Sequence, residues 1–390
     1  MSNQRQVVVL GSTGTIGKNT LDVISKNKNQ FQVLALSAHQ NVELLLNQIK
    51  EFMPRIVVIS REVDAVLIRQ KTKNLKNKPV ILFGSTAIEK VASLKEADIV
   101  ILGIVGAKAL LPLIAAVKAG KQVGLANKEA LIIAGQIIMD MAKKYKANII
   151  PVDSEHSAIY QCLQGGQRED VARLILTASG GPFYRQTKRL HNISVKEALN
   201  HPTWKMGAKI TIDSSTLMNK GLEAIEAHYL FGVPMDQISI VIHPQSIVHS
   251  LVEYHDGAML AQLSIPDMRL PIQYALTFPN RIKTSVRSLK LEEVKELHFD
   301  KPDFSQFPCL KLALDAGKRG GTTPAALSAS NEEAVHSFIQ GKIRFTEISN
   351  IVGKVLKKHK MTVTPNLQDV LDTDQWARNE AQKIIQSLRN

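Results

Sequence analysis

Short apolar runs alternate with helical segments along residues 1–152, and no other feature of the chain restricts its fold as strongly. The helical segments, for example VELLLNQIKEF and KEALIIAGQIIMDMAKKY, repeat their apolar residues with the period of an amphipathic helix. Because strand–helix–strand units cross over with one hand, this strict alternation predicts a parallel sheet that is wound on both faces. The candidate strands are QVVVL, FQVLAL, RIVVIS, PVILFG, ADIVILGI, QVGLA and NIIPV.

The pattern changes after residue 152. Helices then mix with a hairpin, because QSIVHSLVEY and AMLAQLSI flank the turn pair Asp256–Gly257. A proline-containing irregular stretch follows, and the last part of the chain has helical periods with almost no strand signal. The predicted class is therefore α/β, with a doubly wound domain at 1–152, an α/β domain with an antiparallel hairpin at 153–280, a linker at 281–312 and a small helical domain at 313–390.

The formal net charge of the 390-residue chain is +14. Such a charge fits either nucleic-acid binding or an enzyme that acts on anionic, phosphorylated small molecules. The lysines are scattered along the chain, and aromatic residues make up only 5%, too few for platforms that stack bases. We therefore expect no nucleic-acid partner and favour a small, anionic substrate.

Nothing at the amino end resembles a signal peptide, because MSNQRQVVVLGS becomes polar and glycine-rich after four apolar residues. The longest apolar run, ADIVILGIVGA, is well short of the roughly 18 residues that a membrane span requires. The chain has only two cysteines, Cys162 and Cys309, and they lack the spacing of metal ligands. So few cysteines suggest a reducing compartment without disulfides. We expect a cytoplasmic protein that does not bind membranes.

Three glycines, Gly11, Gly14 and Gly17, directly follow the first predicted strand and open the first predicted helix. Glycines at such a turn let backbone N–H groups approach a pyrophosphate at the positive end of the helix. A glycine pattern alone is weak, but the strand before it and the helix after it supply the expected context. Residues 1–152 are thus predicted to form a Rossmann-like dinucleotide-binding domain.

The end of the second predicted strand, LALSAHQN, bears on the choice of dinucleotide. It lacks the Asp or Glu that binds the ribose 2′-hydroxyl of NAD, so NADP is favoured. The basic residue expected for a 2′-phosphate is also missing, since His39, Gln40 and Asn41 occupy this turn. The choice between NADP and NAD therefore stays open at this point.

Acidic residues follow the last strand of the predicted sheet, where such folds bind their ligands. Asp153 and Glu155 stand two positions apart, and in an extended segment both side chains face the same side. Paired carboxylates suit Mg²⁺ or Mn²⁺ better than zinc. Glu223 could supply a third carboxylate to such a cation.

The segment IDSSTLMNKGLEAIEAHYLFG carries that third carboxylate. Ser214 and Ser215 are predicted to cap a helix in which Asn219, Lys220 and Glu223 project from one face. A Lys–Glu pair on a helix is usually a solvated surface pair. Beside an acidic segment, the same face could contact a metal and a phosphate.

Two further stretches are candidate anion sites. The stretch LTASGGPF offers Ser179 followed by flexible glycines, and NHPTWKMGAK offers His201 and Trp204 in a loop that ends near Gly207. A tryptophan in a polar loop can act as a lid over a bound substrate. The alternatives are a helix-terminal role for His201 and an anchor to the core for Trp204.

Motifs in the same order along nearly the whole chain resemble those of the 1-deoxy-D-xylulose 5-phosphate reductoisomerase family, the NADPH enzymes that open the non-mevalonate (MEP) isoprenoid pathway. The resemblance implies an oxidoreductase with isomerase activity, a phosphorylated ketose as substrate, NADPH and Mn²⁺ or Mg²⁺ as cofactors, and a homodimer formed through the sheet of the catalytic domain. The motifs are GSTGTIG, GLANKEAL, PVDSEHSAIYQ, ASGGPF, HPTWKMGAKITIDSSTLMNKGLE, IHPQSIVHS, LSIPDMRLPI and NEEAVHSFI.

The resemblance also implies roles for individual residues. The metal ligands would be Asp153, Glu155 and Glu223, and the catalytic set would add Lys128 and His201 to these three. The substrate would contact Lys128, Ser154, Glu155, Ser179, His201, Trp204, Ser214, Asn219, Lys220 and Glu223. NADPH would be lined by Thr13, Gly14, Thr15, Ile16, His39, Gln40, Asn41, Asn127, Glu129 and Gly207.

Two alternatives remain for a chain with these features. One is another NADP-dependent reductase, acting on a small acid or semialdehyde, which would need no divalent metal. The other is a basic binding protein that merely retains a nucleotide-binding fold, whose retention of nucleic acid would depend steeply on salt. Sensitivity to EDTA and oxidation of NADPH distinguish these possibilities from the predicted enzyme.

Overall fold

The computed structural model describes residues 4–185, 190–204 and 206–388. The chain divides into two compact units, and each unit combines several stretches of sequence. The first unit comprises Met1–Ala130, Ile138–Ser157 and Asp267–Arg287, and the second comprises Leu131–Ile137, Ala158–Pro266 and Ser288–Asn390.

A seven-stranded sheet forms the centre of the first unit, with the order β4-β3-β2-β1-β5-β6-β7 and every neighbouring pair parallel. Each strand overlaps one of the predicted apolar runs, so the predicted parallel sheet is confirmed. Its strands are mainly apolar, as expected where helices cover both faces of a parallel sheet. The strands are β1 (Arg5–Leu10), β2 (Phe31–Ala38), β3 (Ile56–Ile59), β4 (Val80–Phe83), β5 (Ile99–Leu102), β6 (Gln122–Leu125) and β7 (Asn148–Pro151).

The strand order reverses between β1 and β5. The chain moves outward from β1 to β4 and then returns to place β5 on the other side of β1. With right-handed crossovers, the helices before and after the reversal lie on opposite faces of the sheet, which leaves a crevice at the carboxyl ends of β1 and β5. The glycine turn that follows β1 lies at this switch point.

A four-stranded mixed sheet with the order β11-β10-β8-β9 belongs to the second unit. It consists of β8 (Val171–Ala178), β9 (Ile238–Ile242), β10 (Val248–Tyr254) and β11 (Met259–Leu263). The pair β8 and β9 is parallel, whereas β10 pairs with both β8 and β11 in antiparallel fashion. The predicted hairpin is thus β10–β11, and Gly257 in its turn has the positive φ of +86° that favours glycine.

Helices account for most of the remaining structure. The chain order begins with α1 (Thr15–Lys26), α2 (Val42–Phe52), α3 (Glu62–Thr72), α4 (Ser85–Ala92), α5 (Leu110–Lys118), α6 (Glu129–Tyr145), α7 (Ser154–Cys162) and α8 (Val195–Ala198). It continues with α9 (Ala208–Ser215), α10 (Met218–Phe231), α11 (Arg269–Thr277), α12 (Leu291–Val294), α13 (Pro308–Arg319), α14 (Thr323–Ile339), α15 (Glu347–Lys358) and α16 (Leu367–Ser387). Among the described helices, none combines the length and the apolar character that crossing a bilayer requires.

Helix α11 belongs to the first unit although it follows the second sheet in sequence. Arg269 at its start pairs with Asp267, at 2.6 Å, and reaches Asp22 on α1, at 3.3 Å. The side chain of Gln122 donates to the carbonyl of Ala275, at 2.7 Å. Polar contacts of this kind hold α11 against α1 and β6.

The carboxyl-terminal part of the chain is helical, as predicted, from α13 to α16. Helix α14 is the most deeply buried of these four, and its small residues Ala326 and Ala329 let neighbouring helices approach. Val352 on α15 and Ile385 on α16 join the same apolar core of the second unit. The predicted division into three domains and a linker differs in kind from a division into compact units, and it stays a prediction.

Candidate active site

The glycine turn after β1 is built so tightly that larger residues do not fit. Gly11 has φ +85°, and a Cβ atom there would lie 2.8 Å from the carbonyl oxygen of Gly103 in the loop after β5. A Cβ atom on Gly17 would lie 2.3 Å from the Cα atom of Ser12. Gly14 precedes α1 with extended backbone and is exposed. The turn therefore presents backbone at the positive end of α1, where an anion is stabilised.

The residues predicted to line a dinucleotide on this turn occupy its outer side. Thr15 is exposed, and Thr13 and Ile16 are partly exposed. At the end of β2, His39, Gln40 and Asn41 are all exposed. These six residues belong to two turns at the carboxyl ends of the adjacent strands β1 and β2, where an extended ligand can contact both.

The turn at the end of β2 has local structure of its own. The side chain of Asn41 caps α2, because its oxygen accepts from the backbone N–H of Leu44 at 3.1 Å. The His39 ring nitrogen Nδ1 lies 2.7 Å from the hydroxyl of Ser60. This turn carries amide and imidazole groups, and a binding role toward a 2′-phosphate stays a prediction.

The loop between β6 and α6 and the first residue of α6 hold three of the predicted site residues, Asn127, Lys128 and Glu129. Buried Asn127 donates to the carbonyl of Ile104, at 2.9 Å, and its oxygen accepts from the N–H of Ala130, at 2.8 Å. Its amide also lies 2.9 Å from the carboxylate of Glu129. Asn127 thus ties this loop to the loop after β5, and it fixes the path of the chain on both sides of Lys128.

Buried Lys128 forms an ion pair with the partly buried Asp153, with 2.6 Å between Nζ and Oδ2. The two residues are 25 positions apart in sequence and follow the neighbouring strands β6 and β7. The carboxyl ends of parallel strands lie at one edge of a sheet, which explains the meeting. A lysine cation therefore balances part of the acidic charge after β7.

The predicted extended conformation of Asp153–Glu155 is wrong. Strand β7 ends at Pro151 and helix α7 begins at Ser154, and the N–H of Ser157 donates to the carbonyl of Asp153 at 2.8 Å. Carboxylates in the first helical turn are stabilised by the helix dipole, so the acidic stretch starts a helix instead of extending the strand. The side chain of Ser154 donates to the carboxylate of Glu155. The two acidic side chains still offer oxygens within 4.8 Å of each other.

Helix α10 presents the predicted polar face. Asn219 and Lys220 both donate to the carboxylate of Glu223, so all three side chains meet on one side of the helix. Lys220 is only 4% exposed and Glu223 only 1% exposed. The spacing correctly predicted the shared face, and burial excludes the alternative of a solvated surface pair.

The predicted capping role of Ser214 and Ser215 is wrong. Both serines end helix α9, and Leu217, with φ +56°, stands before α10 without a side-chain cap. The Ser215 hydroxyl donates to the carbonyl of Ala198, at 2.7 Å, and to that of Thr211, at 2.9 Å. The Ser215 hydroxyl is therefore occupied at the end of α9 and does not cap α10.

The glycines behind Ser179 bring two predicted substrate contacts together. Gly181 has φ +67°, and a Cβ atom there would lie 2.7 Å from the carbonyl oxygen of Ser214. The loop after β8 therefore packs closely against the end of α9. As a result, Ser179 lies two residues away from a close contact with Ser214.

His201 bonds to Ser179, with 3.0 Å between Nε2 and the hydroxyl. Its other ring nitrogen, Nδ1, accepts from the N–H groups of Thr203, at 3.1 Å, and Trp204, at 2.9 Å. With Nδ1 accepting, the proton of the neutral ring is on Nε2 and is donated to Ser179. Burial lowers the pKa of His201, which favours this neutral form.

The loop that follows His201 carries the predicted lid residue. The Trp204 ring lies 6.4 Å from the ring of His249 on β10, centroid to centroid. The loop ends at Gly207, which is exposed and directly precedes α9, and Lys205 lies outside the described residues. Trp204 is partly buried, so the loop is in contact with the second sheet. A cavity of about 450 Å³ lies beside Ser179, lined by Ser179, Gly181, Pro182, Phe183, Tyr184, Glu197, Asn200, Pro202 and Pro244.

Sequence reasoning missed a group of buried polar residues that support these elements. Asp213 on α9 pairs with Lys209, at 2.8 Å, and accepts from the side chain of Asn331 on α14, at 2.8 Å. In the first unit, Gln48 on α2 bonds to Ser12 in the glycine turn. A detectable signal existed for Gln48, because it is a polar residue on the apolar face marked by Leu45. No comparable signal links Asp213 to Asn331.

The fold and the site place the chain among the enzymes built on a dinucleotide-binding sheet. Models of one family match nearly its whole length: 1-deoxy-D-xylulose 5-phosphate reductoisomerase at residues 7–135, the carboxyl-terminal domain of 1-deoxy-D-xylulose 5-phosphate reductoisomerase at 149–231, and the DXP reductoisomerase carboxyl-terminal domain at 263–380. The chain belongs to the 1-deoxy-D-xylulose 5-phosphate reductoisomerase family.

Individual relatives agree with this assignment. The 1-deoxy-D-xylulose 5-phosphate reductoisomerase of Endomicrobium trichonymphae is 47% identical over 384 residues, which cover 98% of this chain and all of the relative. That of Desulforamulus reducens is 49% identical over 385 residues, which cover 98% of this chain and 99% of the relative. The family resemblance predicted from the motifs is therefore confirmed.

Solved structures of the family share the fold. The reductoisomerase from Zymomonas mobilis in complex with NADPH is 40% identical with a TM-score of 0.92, covering 99% of this chain and 100% of that one. A DOX-P reductoisomerase in complex with NADPH, fosmidomycin and magnesium is 41% identical with a TM-score of 0.94, covering 99% of both chains. The predicted α/β class with a carboxyl-terminal helical region is confirmed.

Proposed function

We propose that this chain acts as its family does, and converts 1-deoxy-D-xylulose 5-phosphate to 2-C-methyl-D-erythritol 4-phosphate with NADPH and a divalent cation. The reaction rearranges the carbon skeleton of the ketose to an aldehyde, and hydride from NADPH then reduces that aldehyde. The observation that carries the proposal is identity of 47–49% to reductoisomerases over 98% of the chain. This product belongs to the non-mevalonate pathway of isoprenoid synthesis.

Asp153, Glu155 and Glu223 are proposed to hold the cation. Their carboxylates are the oxygen ligands that Mg²⁺ and Mn²⁺ prefer, so the donor chemistry fits either ion. The oxygens of Asp153 and Glu155 already lie within 4.8 Å of each other. When bound, the cation acts as a Lewis acid on substrate oxygens.

The phosphate of the substrate is proposed to bind Ser179, Ser214, Asn219 and Lys220. Buried Lys220 supplies a point charge of the sign that phosphate requires, and the three other side chains supply hydrogen-bonding groups. His201 orients the Ser179 hydroxyl through their 3.0 Å hydrogen bond. Anchoring at the phosphate keeps the reacting end of the substrate in place.

The reacting carbon chain is proposed to contact Lys128, Ser154 and Glu155. The Lys128 cation, held 2.6 Å from Asp153, can steady negative charge that develops on a substrate oxygen. His201 and Trp204 lie on the loop that is proposed to close over the substrate. Closure excludes water and retains the fragments of the skeleton until they recombine.

NADPH is proposed to bind across the switch point of the first unit. Its pyrophosphate would lie at the amino end of α1, where helix N–H groups and the dipole favour an anion. The 2′-phosphate would face the turn at His39–Asn41. The full set of proposed contacts is Thr13, Gly14, Thr15, Ile16, His39, Gln40, Asn41, Asn127, Glu129 and Gly207.

One spectrophotometric experiment tests the proposed reaction. NADPH absorbance should fall when 1-deoxy-D-xylulose 5-phosphate and Mn²⁺ are both present, and EDTA should stop the reaction. Excess Mn²⁺ or Mg²⁺ added after EDTA should restore it. Reduction of a small acid or semialdehyde that persists in EDTA, with no turnover of the pentulose phosphate, would contradict the proposal.

The chain is also proposed to form a homodimer through its four-stranded sheet. Strand β11 is at the edge of that sheet, and its Met259 and Leu260 are 51% and 39% exposed. Apolar side chains on an edge strand favour pairing with another strand or surface. Light scattering coupled to size exclusion should give the mass of two chains, and the variant Leu260→Glu should shift it toward one.

A further inference from the structure

A buried amide, Gln48 on α2, bonds twice to one residue of the glycine turn. Its Nε2 donates to the carbonyl oxygen of Ser12 at 2.9 Å, and its Oε1 accepts from the Ser12 hydroxyl at 2.7 Å. Gln48 is 5% exposed and Ser12 is fully buried. Neither residue belongs to the predicted catalytic, substrate-binding, cofactor-binding or metal-binding sets, and both side chains are shielded from solvent.

Ser12 is held from a second side by the end of β2. Its backbone N–H donates to the carbonyl of Ser37 at 2.7 Å, and the N–H of Gly11 donates to the hydroxyl of Ser37 at 3.0 Å. The turn is therefore fixed between β2 and α2. Because these backbone groups are used internally, the turn keeps one position relative to α2.

Helix α2 begins at the other turn proposed to contact the cofactor. Asn41 caps its amino end, and Gln48 lies seven residues further along. Seven residues of an α-helix span about 10 Å along its axis, and a helix of this kind is rigid over that length. A single stiff element thus joins the turn at His39–Asn41 to the turn at Gly11–Ile16.

We propose that Gln48 is a positioning residue for NADPH, which fixes the spacing between the pyrophosphate turn and the 2′-phosphate turn. The inference rests on the proposed function. NADPH must reach both turns at once, whereas NADH lacks the 2′-phosphate and needs only the first. Loss of the fixed spacing should therefore weaken the binding of NADPH more than the binding of NADH.

The substitution Gln48→Met tests this, because methionine has similar length and no hydrogen-bonding amide. Nicotinamide fluorescence titrations of the metal-loaded protein give Kd for NADPH and for NADH. We expect Kd for NADPH to rise about tenfold and Kd for NADH about twofold, so that discrimination falls about fivefold. The KM for 1-deoxy-D-xylulose 5-phosphate at saturating NADPH should stay within about twofold of the parent value.

Asn47→Ala is the matched control, because Asn47 is the preceding residue on the same helix and is exposed. It should leave both dissociation constants unchanged. Ser12→Ala removes the hydrogen bond from the Ser12 hydroxyl to Gln48 and keeps the one from Gln48 to the Ser12 carbonyl. It should therefore lower the discrimination between NADPH and NADH by a smaller factor than Gln48→Met does. This variant also provides the measurement if Gln48→Met does not fold.

The outcomes separate the inference from the proposed function. A parent protein that binds neither dinucleotide contradicts the proposed function and the inference together. Normal binding by the parent with an unchanged NADPH-to-NADH ratio in Gln48→Met, or in Ser12→Ala where that is the measured variant, overturns the inference alone. Equal weakening of NADPH binding and NADH binding overturns the inference as well, because a merely structural role would produce that result.

Discussion

Burial distinguishes the ionisable residues of the site from the many lysines that give the chain its positive charge. Lys220 and Glu223 are almost inaccessible, and Lys128 is buried beside Asp153. Taking charges out of water costs free energy, and ion pairing repays that cost only in part. Buried charges of this kind therefore stabilise the fold poorly. Their presence at the amino end of α10 and after β6 is better explained by the proposed binding of substrate and cation.

The first prediction concerns Lys220. The variant Lys220→Ala removes the cation proposed to face the substrate phosphate, so KM for the substrate should rise about tenfold or more. Kd for NADPH should not change. Lys318→Ala is the control, since Lys318 pairs with Asp236 on an exposed surface of the same unit. An unchanged KM, measured by NADPH oxidation, would show that Lys220 does not bind the phosphate.

The second prediction concerns Glu223. Glu223→Ala should abolish metal-dependent turnover, because it removes one proposed ligand of the cation. Binding of NADPH should remain nearly intact. Mn²⁺ binding followed by electron paramagnetic resonance, together with NADPH fluorescence, checks both parts, and exposed Glu169→Ala is the control. A loss of NADPH affinity as large as the loss of activity would show that the metal role is misassigned.

At the scale of elements, local patterns predicted which segments form strands and helices better than they predicted where those segments end. All seven strands of the parallel sheet were predicted from apolar runs, because a buried parallel strand is apolar throughout. The acidic stretch after β7 was predicted to be extended and instead starts α7. The serines before α10 were predicted to cap it and instead end α9. Both errors lie at boundaries, where competing local hydrogen bonds decide the outcome.

The third prediction concerns the contact between α9 and α14. Asn331→Ala removes the 2.8 Å hydrogen bond to buried Asp213. The ion pair with Lys209 is retained. The free energy of unfolding should fall by about 2 kcal/mol. Urea denaturation measures the change.

Two further measurements bear on the same contact. Exposed Asn379→Ala on α16 is the control and should stay within about 0.5 kcal/mol of the parent. Because Ser214 follows Asp213 directly, KM for the substrate should also rise in Asn331→Ala. A stability equal to that of the parent would show that the contact contributes nothing to the fold.

At the scale of the whole molecule, buried histidines couple stability to pH. Burial lowers the pKa of His201, His243 and His359, and it lowers the pKa of His249 on β10 to about 4. The folded state therefore favours the neutral rings, while the unfolded chain binds protons with the ordinary pKa of about 6.5. The stabilisation is complete above pH 6.5 and is lost as the pH falls toward the folded pKa values.

The fourth prediction follows for His249. Between pH 6.5 and 4, protonation of this residue in the unfolded chain should cost up to about 3 kcal/mol of stability. The nearby Lys220 cation lowers the pKa of His249 further, in the same direction as burial. His249→Gln should flatten the dependence of the unfolding free energy on pH, measured in urea at pH 7 and pH 5. Exposed His336→Gln is the control, and an equal slope in both variants would contradict the argument.

The sequence by itself determined the features that depend on neighbours in the chain. Alternating apolar runs specified the parallel sheet, glycines specified the turn after β1, and spacing placed Asn219, Lys220 and Glu223 on one face of α10. Only the tertiary structure decided which distant polar groups meet, as with Ser12 and Gln48, Ser179 and His201, or Asp213 and Asn331. The physical reason is that a periodic pattern records which side of an element is buried, whereas the partner of a buried polar group depends on how separate elements pack.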